Sequence, residues 1–179
     1  DSSKGFYKMP EPNKGDVFYD IEGFPQADQR PFEYLHGVYF YNGKEFEFKD
    51  FTVKDFTKAE EEKIFKELIE FLEKHFVKYP KAYLYHYNDY EKRALRELAS
   101  DYSATFIKGN NFVDKLLRLE KFVDLYRVVS QCMQTSEKDL SLKSIEKFFR
   151  DERNADIKTA DDSIRIFENW LVTKNDKDL

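Results

Sequence analysis

The apolar residues of this chain change their period at Thr57. Before it, short segments alternate apolar and polar residues, the repeat of a strand. Beyond it Ile64, Phe65, Leu68, Ile69, Leu72 and Phe76 recur at helical spacing until Pro80 stops the run. The early part predicts a strand over about residues 16–21, bounded by Gly23 and Pro25. Two further arms, 34–41 and 44–51, flank Asn42-Gly43, a strong hairpin signal. In the second arm Phe46 and Phe48 alternate with Glu45, Glu47 and Lys49, the pattern of a strand with one wet face. Thr57 with Glu60 three residues on predicts a capping box. A short strand at 82–87, a helix from Asp89-Tyr90 carrying Leu95 and Leu98, a helix at 110–119 and a strand at 122–125 follow. Helices at 126–133, 142–149 and 161–172 complete the chain, the last with Ile164, Phe167, Trp170 and Leu171 on one face. The order βββαβα with later helices indicates an α/β fold around a mixed sheet. Residues 1–15, polar and broken by Pro10, Pro12 and Gly15, are expected as a lead-in loop, and 16–179 as one domain.

The composition supports this reading and removes some functions. The 179 residues suffice for one real core, and 18 Phe and 12 Tyr supply the packing material. A net charge of −5 rules out a domain that grips nucleic acid by bulk positive charge, though local Lys and Arg can still meet phosphates. One cysteine, Cys132, excludes an internal disulfide, and His36, His75 and His86 are too scattered for a zinc site. No apolar run reaches membrane-spanning length and no signal-peptide pattern stands at the start. The expected setting is therefore cytoplasmic, without a membrane partner, and a monomer is expected because no long apolar seam is left over. A start at Asp1 and an end at Asn175–Leu179 without a closing element suggest a piece of a longer protein.

Asp20 and Glu22, within Val17-Phe18-Tyr19-Asp20-Ile21-Glu22-Gly23, carry the chemistry. Residues two apart on a strand share a face, so two acids stand side by side on an apolar strand. Each raises the other's pKa, and a hard divalent cation, Mg²⁺ or Mn²⁺, would relieve the repulsion. The plain alternative is a solvated strand face. Glu91, in the first turn after the 82–87 strand, is a candidate third acid at the sheet's carboxyl edge. The helix dipole alone also favours an acid there.

Several blocks then resemble one family. They are Gly15–Gly23, Tyr34-Leu35-His36-Gly37-Val38, His86-Tyr87-Asn88-Asp89-Tyr90-Glu91, Phe122-Val123-Asp124-Leu125-Tyr126-Arg127-Val128-Val129 and Ser141-Leu142-Lys143-Ser144-Ile145-Glu146. In this order and spacing, over about residue 10 to the end, the chain resembles the predicted RecB-like nuclease family. The central domain of that family is a ribonuclease H-like exonuclease of the DEDD type. The resemblance implies a ribonuclease H-like (DnaQ-like) mixed sheet flanked by helices, and 3′→5′ hydrolysis of phosphodiester bonds by a two-metal mechanism using Mg²⁺ or Mn²⁺. It assigns Asp20, Glu22 and Glu91 as catalytic metal ligands, with Asp89 better read as an N-cap. Asp124 and His86 fall around that site, Asp124 either as a nearby acid or as a helix cap, and the cap is preferred. Tyr87 and Tyr90 are candidate base contacts and Lys92 and Arg93 candidate phosphate contacts, each also explicable as core or solvated surface. The implied partners are single-stranded nucleic acid or 3′ ends, DNA before RNA, and flanking nuclease or helicase domains, which gives the fold a place in DNA repair.

One departure stands against this. The family's third motif, a Tyr with an Asp four residues later, has no counterpart after Asp124, although the Asp162-Ser163-Ile164 block is present. The expectation is a domain truncated at its C-terminal side, lacking its last helix and weak or inactive alone. The rival expectation is a non-catalytic module that binds nucleic acid or braces neighbouring domains.

Overall fold

The computed structural model describes residues 4–27, 29–149 and 160–174. Five strands form one sheet: β1 (Val17–Phe24), β2 (Phe32–Tyr41), β3 (Phe46–Thr52), β4 (Leu84–His86) and β5 (Phe122–Asp124). Their order is β3-β2-β1-β4-β5, with β1 antiparallel to β2 but parallel to β4. The helices are α1 (Lys58–Lys78), α2 (Tyr90–Asp101), α3 (Ile107–Arg118), α4 (Leu125–Cys132), α5 (Leu142–Glu146) and α6 (Ala160–Thr173). This is the α/β, mixed-sheet architecture that the sequence indicates.

Alternation along β1 sorts its side chains. Val17, Tyr19 and Ile21 point into the core, whereas Phe18 and Asp20 face out. The core side is closed by α1, whose Phe71 packs edge-on against Phe40 at 4.7 Å, and by α2 through Ala94, Leu95 and Leu98. On the other side α6 lies against β1, and Phe167 stacks on Tyr34 at 4.1 Å and 11°. Burying rings and aliphatic chains of this kind contributes roughly 1.5–3 kcal/mol each.

Local details differ from the sequence expectation. The hairpin turn spans four residues, Asn42 to Glu45, rather than two: Asn42 Oδ1 accepts the amides of Lys44 and Glu45, while Gly43 sits at φ +114°. Thr57 does cap α1, its hydroxyl oxygen accepting from the Glu60 amide. The capping box is only half made, because Glu60 takes the Lys54 amide instead. Asp89 stands at the N-cap position of α2 yet makes no capping bond. Within the lead-in, Gly5–Lys8 form a 3₁₀ turn against α4, where the Gly5 amide donates to Gln131. Helix α3 begins earlier than expected, because Gly109 lets the Phe106 ring close over its first turn. Helix α5 is shorter, continuing as turns to Phe149. The largest difference lies in β3, where Phe46 and Phe48 are themselves exposed. No helix among the described residues is long and apolar enough to cross a membrane. The ends 1–3 and Asn175–Leu179 lie outside the described residues.

Candidate active site

Asp20 and Glu22 stand at the carboxyl end of the central strand, on the face opposite Tyr19 and Ile21. Asp20 is exposed, Glu22 half-buried. Burial first, and the Asp20 charge second, push the Glu22 carboxyl up to about 7. Both penalties fall on the ionised form, and a hard cation shared by the two acids would remove both.

A bulge lies directly beside them. Glu22 pairs with Leu35 but Gly23 pairs with Glu33, so Tyr34 is the extra residue. Tyr34 turns to α6, its hydroxyl 2.7 Å from Ser163 Oγ, and Glu33 turns beneath the helices. There Tyr90 donates to both Glu33 oxygens, at 3.2 and 3.1 Å. Gly23 makes room for the pair, since a Cβ on it would stand 2.3 Å from the Tyr90 hydroxyl. Burial outweighs the Tyr90 bond and the nearby Arg30 charge, and Glu33 also rises to about 7.

Glu91 reaches the same end of the sheet through α2. It is buried, and its Oε2 has no hydrogen-bond partner. The nearest base is His86 Nδ1, 3.6 Å away, which instead donates to the Asn88 carbonyl at 2.5 Å. Asn88, at φ +78°, bends the loop between β4 and α2, and its amide donates to Asp124. Asp124 Oδ1 also accepts from the amides of Tyr126 and Arg127, so this carboxylate caps α4 and holds the loop that presents Glu91. Buried Tyr19 lies among these acids. After burial, the charges of Glu33, Glu91 and Asp20 push its hydroxyl well above the usual range, and it bonds His36 Nδ1 at 2.9 Å.

The structure therefore brings Asp20 and Glu22 together and Glu91 to the neighbouring strand end. Among the described residues, no three His, Cys, Asp or Glu side chains are grouped so as to hold one metal ion. The strand pair fits a first cation by its donor chemistry. Glu91 supplies an unpartnered oxygen but is turned toward His86. Tyr87 donates to the Leu140 carbonyl and lines an apolar groove of about 380 Å³ with Leu125, Val129, Leu142 and Ile145. Lys92 lies 6.0 Å over the Phe122 ring and Arg93 5.5 Å over Tyr90, so both candidate phosphate contacts rest on aromatic rings.

Sequence reasoning missed Glu33 and its neighbour Glu61. Glu61 is fully buried, held by Arg30 at 2.7 and 2.8 Å, by Tyr102 and by the Glu33 amide. The signal was present: an acid between Phe32 and Tyr34 interrupts an apolar strand in the same manner as Asp20.

This sheet order, with acids at the carboxyl ends of adjacent parallel strands, is the setting of a nuclease-like hydrolase fold. The chain belongs to the RNase H superfamily: the family model RNase_H_2, described as RNase_H superfamily, matches residues 17–179. No curated protein and no solved structure matches it. RNase H-like domains bind nucleic acid, and RNase H-like nucleases generally use divalent metal ions.

Proposed function

We propose that the chain is a metal-dependent 3′→5′ exonuclease domain acting on single-stranded DNA in preference to RNA. The observation that carries this reading is the pair Asp20 and Glu22 on one face of the central strand, with Glu22 lifted to about 7 beside Asp20. Retaining that repulsion at a strand end is costly for folding alone, and it fits a site tuned for a cation.

In this reading Asp20, the more exposed of the pair, is the shared ligand and Glu22 its partner. Glu91 brings its unpartnered Oε2, with Asp124 holding the loop before it and His86 beside it. Bound Mg²⁺ or Mn²⁺ supplies Lewis acidity at the scissile phosphate and an activated water at neutral pH. Because Glu22 loses its proton near neutrality, cation binding tightens as pH rises through about 7. With no family third-motif acid after Asp124, the affinity is weak and activity slow, Mn²⁺ serving better than Mg²⁺.

The test is a 5′-labelled single-stranded oligonucleotide incubated with Mn²⁺, beside calorimetric titration of Mn²⁺ alone. The expected outcome is measurable cation binding and slow shortening from the 3′ end, both lost in Asp20→Ala. Absence of Mn²⁺ binding together with absence of Asp20-dependent cleavage overturns the reading. A second reading, a non-catalytic RNase H-like module that binds nucleic acid or braces nuclease or helicase neighbours, is favoured by one observation. Glu91 is turned to His86 and does not join the strand acids.

A further inference from the structure

We infer that the open face of the β1–β2–β3 hairpin is a stacking platform for the unpaired bases of a single-stranded nucleic acid whose 3′ end lies at Asp20. This inference rests on the nuclease reading and adds to it a surface for the substrate.

The face carries Phe18, Tyr39, Phe46 and Phe48, which are 42, 46, 44 and 63% exposed. Register places Phe18, Tyr39 and Phe48 opposite one another across three strands. The rings form a continuous row. Phe18 stacks on Tyr85 at 5.2 Å and 25°, lies 6.4 Å from Tyr39, and Tyr39 stacks on Phe46 at 5.5 Å and 21°. Single exposed apolar residues are ordinary on a soluble protein, whereas Phe18, Tyr39 and Phe46 in contact, with Phe48 opposite Tyr39, mark an interaction surface.

Three observations choose the occupant. The first is continuity with the acids. Phe18 precedes Asp20 by two residues on the same face, about 7 Å along the strand. The second is Gly37, the register partner of Asp20. A Cβ there would stand 3.0 Å from the Phe48 ring, so the missing side chain lets the most exposed ring of the row approach the backbone of the residue paired with Asp20. The third is charge. The acids Asp20 and Asp50 sit at one end of the row, where cations belong in the nuclease reading. At the other end exposed lysines stand around the hairpin tip, with the acids Glu45 and Glu47 among them. Lys14 lies 5.6 Å over the Tyr41 ring, Lys78 reaches Gly43, and Lys44 lies in the turn itself. A strand running from the tip to Asp20 would meet lysines at its phosphates and rings at its bases. Such rings bind bases with little sequence preference, because every base has a π face.

The test measures fluorescence anisotropy of a 5′-fluorescein oligothymidylate at low salt with Mg²⁺, in an Asp20→Asn background that does not cleave. Phe48→Ala and Tyr39→Ala are each expected to weaken binding roughly five- to hundredfold, the range reported by ring removal at stacking sites. Phe48→Leu, which keeps apolar area but no ring, is expected to weaken it as well. Tyr7→Ala, an exposed ring elsewhere, should leave binding unchanged. Unaltered binding in both ring variants overturns the platform, and Asp20-dependent cleavage in the wild type would then leave the nuclease reading standing. A wild-type dimer that Phe48→Ala dissociates also overturns it, making the face a contact between copies. Ring-dependent binding without any Asp20-dependent cleavage keeps the platform and sinks the nuclease reading.

Discussion

The Tyr90 hydroxyl lies 3.2 and 3.1 Å from the two carboxylate oxygens of Glu33, yet the acid it serves is raised, not lowered, to about 7. Burial dominates: Glu33 is 1% exposed. Between the unfolded value of about 4.5 and 7, the folded chain holds a proton that the unfolded chain has released. Stability from this group is therefore complete below about 4.5 and falls as pH rises through 7. Glu33→Gln keeps an acceptor for Tyr90 and removes the charge. It is expected to add about 3 kcal/mol above neutrality and nothing at the acid end. Half-buried Glu22 titrates in the same window with a smaller, solvent-screened share. Urea midpoints measured across this range check the point, and parallel wild-type and variant curves would refute it.

Arg30 clamps Glu61 with two bonds and Asp101 with a third at 2.6 Å. Burial opposes ionisation of Glu61, but its bonds to Arg30, Tyr102 and the Glu33 amide hold it below the ordinary range. Stability from Glu61 is present above the unfolded pKa and lost as pH falls through the lower folded one. Arg30→Met leaves that buried charge with only the half-exposed Lys58 as counter-ion, 3.2 Å away, at an expected cost of about 3 kcal/mol. Adding Glu61→Gln should recover part of it. Chemical denaturation of the single and double variants decides, and a neutral single variant would contradict the account.

Helix α6 is fastened by Phe167, which touches Tyr34, Phe24 and Phe56. Phe167→Ala is expected to cost about 3–5 kcal/mol where it acts on global unfolding. Its first effect should be local: fast hydrogen exchange over 160–173 while β1 and β2 stay protected. Tyr34→Phe, which loses only the Ser163 bond, should cost about 1 kcal/mol. Equal exchange in α6 and the sheet would show that the helix is not a separate layer.

Asp20→Asn relieves the like-charge contact with Glu22. Without divalent ions its melting temperature is expected to exceed that of the wild type by about 1–3 °C. Mn²⁺ should then stabilise the wild type and leave the variant unmoved. A thermal shift assay with and without Mn²⁺ reads both effects, and equal Mn²⁺ shifts in the two proteins would remove Asp20 from the ligand set.

Most elements of the fold were legible because period and punctuation agree. Thr57 starts α1, Pro80 follows its end, and the apolar stripe from Ile64 to Leu72 is buried as spaced. Alternation also showed correctly that Asp20 and Glu22 share a side. It could not show which side of a strand is covered, and so Phe46 and Phe48 read as core although their face lies open. That depends on where α6 lands, a long-range packing outcome absent from local pattern. Glu33 was hidden for a related reason: strict alternation places it with Phe24, and only the extra residue at Tyr34 turns it the other way. The orientation of Glu91 depends on the bend at Asn88, which no spacing records.

That extra residue sorts the acids. In an uninterrupted ladder Glu33 would pair with Phe24 rather than Gly23 and stand in line with Asp20 and Glu22 on the open side. The bulge instead divides two similarly titrating carboxyls between separate compartments, Glu22 toward solvent and Glu33 sealed under α2. Pairing Tyr34 into the ladder would do more than straighten a strand, because it would carry Glu33 across the sheet and merge a buried proton store with the cation-facing pair, whereas deleting Tyr34 would leave Glu33 opposite Gly23.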